Sequence, residues 1–169
     1  MFVHLVLLFL LKIVQLISAD HYKGGTISWK PTNPTAISGP TVSITITERH
    51  SWTFSRYPCN QTIIDTFNVY NDTQASLPAT LACVSDILTC TTSLYQTINS
   101  PLFCTDFSTV FQITSGTYYT TQSLALNSVI DVAWRGAAWA DEIGTDSFSL
   151  VTHIDLTPVS GKINTSPGM

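Results

Sequence analysis

Apolar and polar residues alternate along two segments of the chain, and this alternation is its clearest structural signal. In the first segment, an apolar face alternates with a hydroxyl face: Val42, Ile44 and Ile46 against Thr41, Ser43, Thr45 and Thr47. In the second, near the end, the two faces are Phe148, Leu150, Ile154 and Leu156 against Ser147, Ser149, His153 and Asp155. A period of two residues predicts half-buried strands of an antiparallel sheet.

Weaker β-prone stretches and turn residues fill much of the remaining chain. Further strands are predicted at residues 25–30, 62–70, 107–114, 117–124 and 128–134. Proline-containing turns are expected at residues 31–34 and 38–40, and Ser115-Gly116 separates two β-prone runs as a hairpin turn would. No stretch combines a helical period with proper caps. We therefore expect a disulfide-stapled antiparallel β-sandwich, immunoglobulin-like or jelly-roll-like, with a closed barrel as the alternative.

The first nineteen residues resemble an export signal. An apolar run from Leu5 to Ile17, interrupted by Lys12 and Gln15, ends at the small pair Ser18-Ala19. An uncleaved membrane anchor is the alternative, but Lys12 in mid-run would cost about 2.5–3.5 kcal/mol in a bilayer. The sequence predicts a signal peptide at residues 1–19, one extracellular domain at 20–157 and a linker-like tail without a closing strand at 158–169.

Four cysteines lie beyond the signal, and an even number in an exported chain implies two disulfides. We favour Cys83–Cys90 nested within Cys59–Cys104; pairing Cys59–Cys83 with Cys90–Cys104 is also sterically reasonable. The cysteine-bearing segment, residues 59–104, has poor apolar periodicity and is interpreted as a stapled insertion or edge. Asn60, Asn71 and Asn164 each begin an Asn-x-Ser/Thr acceptor for an N-linked glycan.

Charge excludes one class of partner. Without Lys12, six basic residues oppose eleven acidic ones, a net charge of −5. Nucleic acid binding requires clustered Lys and Arg, so no nucleic acid partner is expected. Membrane contact is expected only through the signal segment, if that segment is not cleaved.

Candidate chemistry is sparse. No known catalytic or cofactor-binding motif is present, and no cofactor or metal is expected. Asp141, Glu142 and Asp146 form an acidic group on a predicted loop, where a solvated surface is favoured over a calcium site. The histidines His21, His50 and His153 have no ligand spacing, so each is expected to have a surface or hydrogen-bonding role.

Aromatic residues are the remaining candidates for ligand contact. Trp29, Trp52 and Trp134, with Trp139 and the pair Tyr118-Tyr119, could form a sugar-stacking platform. Trp29 and Trp134 lie on strong strand candidates, which favours a core position for both. The residues retained for ligand binding are Trp139, Tyr118 and Tyr119.

Three local patterns resemble the N-terminal β-rich module of a group of animal extracellular multidomain proteins. They are the opening from His21 to Trp29 (HYKGGTISW), the stretch from Cys104 to Ser108 (CTDFS), and Asp155-Leu156-Thr157 followed by residues 161–167 (GKINTSP). In that group the module leads into cadherin-, immunoglobulin- or EGF-like repeats. The chain departs from the group at residues 135–139, where a paired cysteine is often found, and in the wider spacing of Cys83 and Cys90. The resemblance implies an extracellular module but no specific activity.

The expected function is a noncatalytic secreted or cell-surface module with an adhesion, scaffolding or interaction role. Its expected partner is an extracellular protein or a glycan. A secreted carbohydrate-binding domain is the alternative, favoured if Trp139 and Tyr118-Tyr119 share an exposed face. A hydrolase using Asp141, Glu142 or Asp155 is a distant third, since paired carboxylates need a defined separation across a cleft.

Overall fold

Two antiparallel sheets pack face to face in the computed structural model of this chain. The structure describes residues 22–35, 39–66, 80–101, 103–137 and 147–163. In chain order its elements are β1 (Tyr22–Pro31), β2 (Thr41–Thr53), α1 (Gln61–Asp65), β3 (Thr80–Cys83), α2 (Ile87–Thr92), β4 (Ile98–Asn99), β5 (Asp106–Ser108), β6 (Ile113–Ala125), β7 (Val129–Ala137), β8 (Ser147–Asp155), β9 (Pro158–Val159) and β10 (Lys162–Ile163).

The first sheet has the strand order β1-β2-β6-β5 and the second has β4-β3-β7-β8. Strands β9 and β10 form a separate hairpin. The predicted antiparallel β-sandwich is confirmed. The indole Nε1 of Trp29 in β1 donates to the backbone oxygen of His153 in β8 at 2.7 Å, which links the two sheets along one side.

The core lies between the sheets and is built by the predicted alternation. Val42, Ile44 and Ile46 point inward from β2, while Ile154 of β8 and Leu156 just after it face them from the other sheet. Leu150 and Phe148 pack half-buried against the same core, and Ser149 and His153 are exposed. The register predicted for both segments is therefore confirmed.

Two short helices, α1 and α2, lie where the sequence predicted no helix. The strand expected at residues 62–70 is wrong over its first part, because α1 occupies Gln61–Asp65; the segment beyond residue 66 lies outside the described residues. Asn60 caps α1 by accepting a hydrogen bond from the Ile63 backbone N–H, and Asp86 caps α2 in the same way through Thr89. These caps are local and the helices are too short to show a period.

The hairpin predicted at Ser115-Gly116 is also misplaced. Both residues lie inside β6, and the turn falls four residues earlier, at residues 109–112 between β5 and β6. There the Ser108 hydroxyl accepts from the Phe111 N–H, and Gln112 adopts a φ of 54°. The strand expected over residues 107–114 is therefore split in two.

The cysteine-bearing segment belongs to the second sheet. It supplies β3, which pairs with β7, and β4, which lies at the sheet edge. Its disulfides are Cys59–Cys104 and Cys83–Cys90, the nested arrangement. The predicted tail begins with more structure than a linker: β9 and β10 pair with each other, although they join neither sheet of the sandwich, and Ile163 is buried in the core.

Candidate functional site

The inward face of β2 continues beyond the apolar residues into Glu48 and His50. Both follow Ile46 at intervals of two residues, so the pleat turns them toward the core as it does Ile44. Glu48 is 0% exposed and His50 is 5% exposed. A carboxylate and an imidazole thus lie between the sheets, where unpaired charge is costly.

Two glycines lie beside His50 on the neighbouring strands and allow close packing there. His50 is paired with Gly25 on β1 and with Gly116 on β6, and cross-strand partners share a face of the sheet. A side chain at Gly25 would collide with the Tyr22 hydroxyl and the Arg49 backbone oxygen. At Gly116 it would overlap the Phe103 carbonyl. Both positions therefore require the absence of a Cβ.

Hydrogen bonds join this buried polar cluster, which consists of Tyr22, Glu48, His50 and Ser100. The Ser100 hydroxyl donates to Glu48 Oε2 at 2.7 Å, and His50 Nε2 lies 3.4 Å from the same oxygen. On its other side, His50 Nδ1 is 3.0 Å from the Tyr22 hydroxyl. Three chain segments are thereby tied together: β1, β2 and the link after β4.

Ser100 does not occupy the position of the serine in a nucleophilic triad. In a triad, the histidine lies between the hydroxyl and the carboxylate and accepts the hydroxyl proton. Here the carboxylate lies between Ser100 and His50, and the hydroxyl on the other side of His50 belongs to Tyr22. Tyr22, Ser100 and Glu48 are all closed off from solvent. This geometry favours a structural role for the cluster over acyl transfer.

Aromatic rings surround the cluster. Trp134 lies 4.5 Å from the His50 ring, and Tyr22 stacks on Phe148 at 4.2 Å. Within the described residues, Glu48 Oε1, Trp52 Nε1 and Trp134 Nε1 are buried and have no hydrogen-bond partner. Such orphaned groups destabilise a fold. This end of the interior therefore contributes less to the stability of the fold than the aliphatic centre does.

Burial and the nearby Glu48 carboxylate raise the pKa of two tyrosines above the ordinary value of 10.0. Tyr22 is in the cluster, and Tyr95 donates its hydroxyl to the Leu81 backbone oxygen at 3.0 Å. For each, desolvation is the larger cause and the Glu48 charge is the smaller. Both phenols therefore hold their protons more tightly in the folded state than in the unfolded chain.

We expect the free energy of unfolding to fall as the pH rises above 10. Below that value the contribution of the two tyrosines is fully present, and it is lost as the unfolded phenols release their protons. Tyr22→Phe should make this loss less steep, while Tyr119→Phe, at an exposed ring, should leave it unchanged. Denaturant melts between pH 8 and about pH 11 measure the slope. Identical slopes in Tyr22→Phe and the unsubstituted protein would contradict the buried position of Tyr22.

A narrow cleft leads from His50 to the surface between β6 and the segment after β4. Its walls include Trp52, Pro101, Phe103 and Tyr118, and it has room for about one water molecule. The cleft is therefore too narrow to admit an organic ligand to the buried cluster.

A wider depression opens on the surface next to this cleft. It has a volume of about 430 Å³ and is lined by Phe103, Thr105, Thr117, Tyr118 and Tyr119. We call these five residues the aromatic depression. It lies where the pairing of β5 with β6 ends, because β5 is only three residues long and pairs with β6 only up to Ser115.

The rings of the aromatic depression differ in exposure. Tyr119 is 65% exposed on the outer face of β6. Tyr118 points the other way and stacks on Phe103, with ring centroids 5.5 Å apart and planes at 19°. The Thr117 N–H donates to the Thr105 hydroxyl, which fixes the floor of the depression. Tyr119 is thus the free ring, and Tyr118 with Phe103 forms a fixed wall.

Two of the three residues predicted to bind a ligand lie within the described part of the chain. Tyr118 and Tyr119 line one depression, although they lie on opposite faces of β6. Trp29 and Trp134 are buried, and Trp52 is half-buried against the core, as the core interpretation required. Trp139, the third predicted ligand residue, lies outside the described residues.

Several other candidate residues fall outside the described part of the chain: His21, Asn71, Asp141, Glu142, Asp146 and Asn164. Among the described residues, no group of three or more His, Cys, Asp or Glu side chains could hold a metal ion. Hydrogen bonds from the Thr157 side chain and backbone lower the pKa of Asp155, which makes it a poor general acid at neutral pH.

Sequence reasoning missed Glu48, Ser100, Phe103 and Thr105. For Glu48 a signal was available, because it continues the inward register of Val42, Ile44 and Ile46. His50 was assigned a hydrogen-bonding role, and the structure shows hydrogen bonding in a buried position. His153 is exposed on the surface, 2.8 Å from Asp131. Phe103 and Thr105 contact β6 from the segment just before β5; Thr105 is 12 residues before its partner Thr117.

No protein-family profile matches the chain, and neither curated proteins nor solved structures show a match. The resemblance to the extracellular module therefore stays an expectation based on its three motifs. The described residues contain no helix with the length and apolar character needed to cross a membrane. The two disulfides fit an extracellular or secreted protein.

Proposed function

We propose that this protein is a noncatalytic secreted or cell-surface module that binds an extracellular partner through the aromatic depression. The observation that carries the proposal is Tyr119, a large ring left 65% exposed beside a concave surface. Exposed aromatic rings at a preformed depression are typical anchors of protein interfaces.

The buried cluster supports a binding role over a catalytic one. Glu48 Oε2, the His50 imidazole and the Ser100 hydroxyl contact one another, and the cleft above them is too narrow for a substrate. The cluster instead fixes Ser100 and hence the chain that continues to Phe103, one wall of the depression. The polar interior thus serves to position the binding surface.

Binding of the labelled, secreted protein to intact animal cells tests the proposal. Tyr119→Ser should weaken binding at least tenfold. Val151→Ser is the matched control, because Val151 is 58% exposed on the opposite sheet, and it should bind as the unsubstituted protein does. If Tyr119→Ser and Val151→Ser bound equally well, the aromatic depression would be excluded as the binding surface. If neither variant nor the unsubstituted protein bound, the proposed role on these cells would be excluded.

A neutral glycan is the second candidate ligand. The exposed Tyr119 ring can stack on a sugar face, and the threonine hydroxyls of the depression can donate and accept hydrogen bonds. A glycan array probed with the same two variants distinguishes this candidate. Array signals that depend on Tyr119 and not on Val151 would support it.

We expect an N-linked glycan on Asn60. Its Oδ1 accepts from the Ile63 N–H at 2.9 Å, so the amide nitrogen that carries a glycan is not needed for the cap, and the residue is exposed. Thr62→Ser should keep the glycan and Thr62→Ala should lose it. Asn60→Asp should lose the glycan while keeping the helix cap, because Asp is an equally good cap.

Intact mass of the protein secreted from animal cells, before and after enzymatic deglycosylation, reads out this prediction. Because Asn71 and Asn164 are also acceptors, the mass is followed site by site after proteolysis. An unmodified Asn60 peptide in the secreted protein would refute it.

A further inference from the structure

The turn between β5 and β6 presents two adjacent apolar side chains to solvent. Val110 is 84% exposed and Phe111 is 76% exposed. We call these two residues the hairpin tip. Single exposed apolar residues are ordinary, but two large ones side by side at the end of a hairpin form a convex apolar feature, which the described part of the chain leaves exposed.

The hairpin tip is held in place. The Phe111 N–H donates to the Ser108 hydroxyl, and the Gln112 side chain donates to the Thr109 backbone oxygen. The Gln112 backbone oxygen accepts from the Phe54 N–H at 2.8 Å, which joins the tip to the end of β2. The two side chains are therefore presented by an ordered turn, so little conformational entropy is lost when they bind.

The same chain contains a concave surface that fits this tip. The aromatic depression has a volume of about 430 Å³, and a cavity of about 150 Å³ is enough to hold benzene. The five described residues that line it carry no charged or amide side chain. The exposed Arg49–Asp106 ion pair borders them, because Arg49 pairs with Thr117 and Asp106 pairs with Ser115. The residues of the tip and of the depression are themselves uncharged, so contact between them would bury no charge of their own.

The lining also favours an apolar side chain over a sugar. Sites that bind polar ligands add a few placed polar groups to their apolar walls, and here only threonine and tyrosine hydroxyls are available. The Thr105 hydroxyl already accepts from the Thr117 N–H. A bilayer is the less favoured occupant of the tip, because the hairpin carries no basic residue to meet lipid headgroups.

The tip cannot enter the depression of its own molecule. Along β6, Thr117 and Tyr119 lie four and six positions beyond Ile113, next to the tip, which is about 13 Å and about 20 Å along an extended strand. Contact between them therefore requires two molecules.

We propose that the partner is a second copy of this chain, with Phe111 and Val110 of one copy inserted into the aromatic depression of the next. This inference rests on the proposed function and names the partner of the same surface. The contact is head-to-tail, so a pair of copies keeps one free tip and one free depression. Copies can then add to both ends, which suits an adhesive or scaffolding protein.

Sedimentation velocity of the secreted protein over a range of concentrations tests the proposal. The unsubstituted protein should show reversible, concentration-dependent assembly. Phe111→Ser and Tyr119→Ser should each weaken assembly at least tenfold, while Val151→Ser, at an exposed site away from both surfaces, should assemble normally. Val110→Ser repeats the test at the other residue of the tip.

Mixing the two defective variants gives the decisive result. Phe111→Ser keeps its depression and Tyr119→Ser keeps its tip, so an equimolar mixture should form one-to-one complexes and nothing larger. A mixture that stays monomeric while the unsubstituted protein assembles would overturn the head-to-tail contact. An unsubstituted protein that stays monomeric at the highest concentration reached would overturn self-association altogether.

The outcomes separate this inference from the proposed function. Tyr119-dependent binding to cells or glycans by a protein that does not self-associate would sink the inference and leave the interaction role standing. Binding of the unsubstituted protein to neutral phosphatidylcholine vesicles that is lost in Phe111→Ser would assign the tip to a membrane and overturn the inference as well.

Discussion

Gly116→Ala is expected to destabilise the protein by about 3 kcal/mol, the upper end of the usual cost of overpacking. A Cβ at this position would overlap the Phe103 carbonyl oxygen and lie 2.8 Å from the Phe103 carbonyl carbon. Both are backbone atoms, so no side-chain rotation can relieve the clash. Either β6 or the segment after β4 would have to move.

That movement is opposed on both sides of Phe103. Cys104, the next residue, is bonded to Cys59, and the Thr105 N–H donates to the Ser115 backbone oxygen at 2.9 Å. Earlier in the segment, Ser100 is tied to the buried Glu48. The overlap therefore has to be accommodated within a pinned segment, and the aromatic depression should be distorted with it.

Denaturant melts of Gly116→Ala measure the effect. Ser123→Ala is the control, because Ser123 is exposed on the same strand and should change the free energy of unfolding by only about 0.5 kcal/mol. If Gly116→Ala melted like the control, the segment that contains Phe103 would not pack against β6 as described. Reduced secretion of Gly116→Ala alone would agree with the expected loss of stability.

The sequence predicts the sandwich well because its period is short and its faces differ in chemistry. Val42, Ile44 and Ile46 are buried and the residues between them are more exposed, so pleating alone determines which side faces the core. The same logic places Leu150 inward and His153 outward. Where the alternation is clear, the sequence of a single strand is enough to tell which of its residues face the core.

The misplaced hairpin shows where this reasoning fails. Ser115-Gly116 is typical of a turn, yet Gly116 serves close packing against Phe103 inside a long strand. The real turn contains Val110 and Phe111, which no local rule marks as loop residues. A glycine has two uses, turning and close approach, and only the tertiary structure separates them.

The candidate site was predicted in part for a similar reason. Tyr118 and Tyr119 were singled out by residue type, but Phe103 and Thr105 join them through contacts across the sheet edge. Glu48 was missed because a carboxylate is rarely buried, although its register placed it inward. Its partner Ser100 is 52 residues away, beyond the reach of any local pattern.

The second large effect is expected on removing the Cys59–Cys104 disulfide. Its cysteines are 45 residues apart, and closing a loop of that length lowers the entropy of the unfolded chain by the equivalent of about 4 kcal/mol. The cysteines of Cys83–Cys90 are only seven residues apart, for which the same relation gives about 2.5 kcal/mol. Cys59 and Cys104 are buried, whereas Cys83 and Cys90 are only half-buried, so loop length and burial both make the long link the more costly to remove.

We therefore expect a larger fall in the free energy of unfolding when Cys59 and Cys104 are both replaced by Ala than when Cys83 and Cys90 are. The midpoint and slope of a denaturant melt give the free energy of unfolding of each double variant. The long link should also matter more for binding, because Cys104 lies between Phe103 and Thr105, two residues of the aromatic depression. If removing the long link cost no more than removing the short one, then packing against β6 and the Ser100–Glu48 hydrogen bond would be what holds this segment.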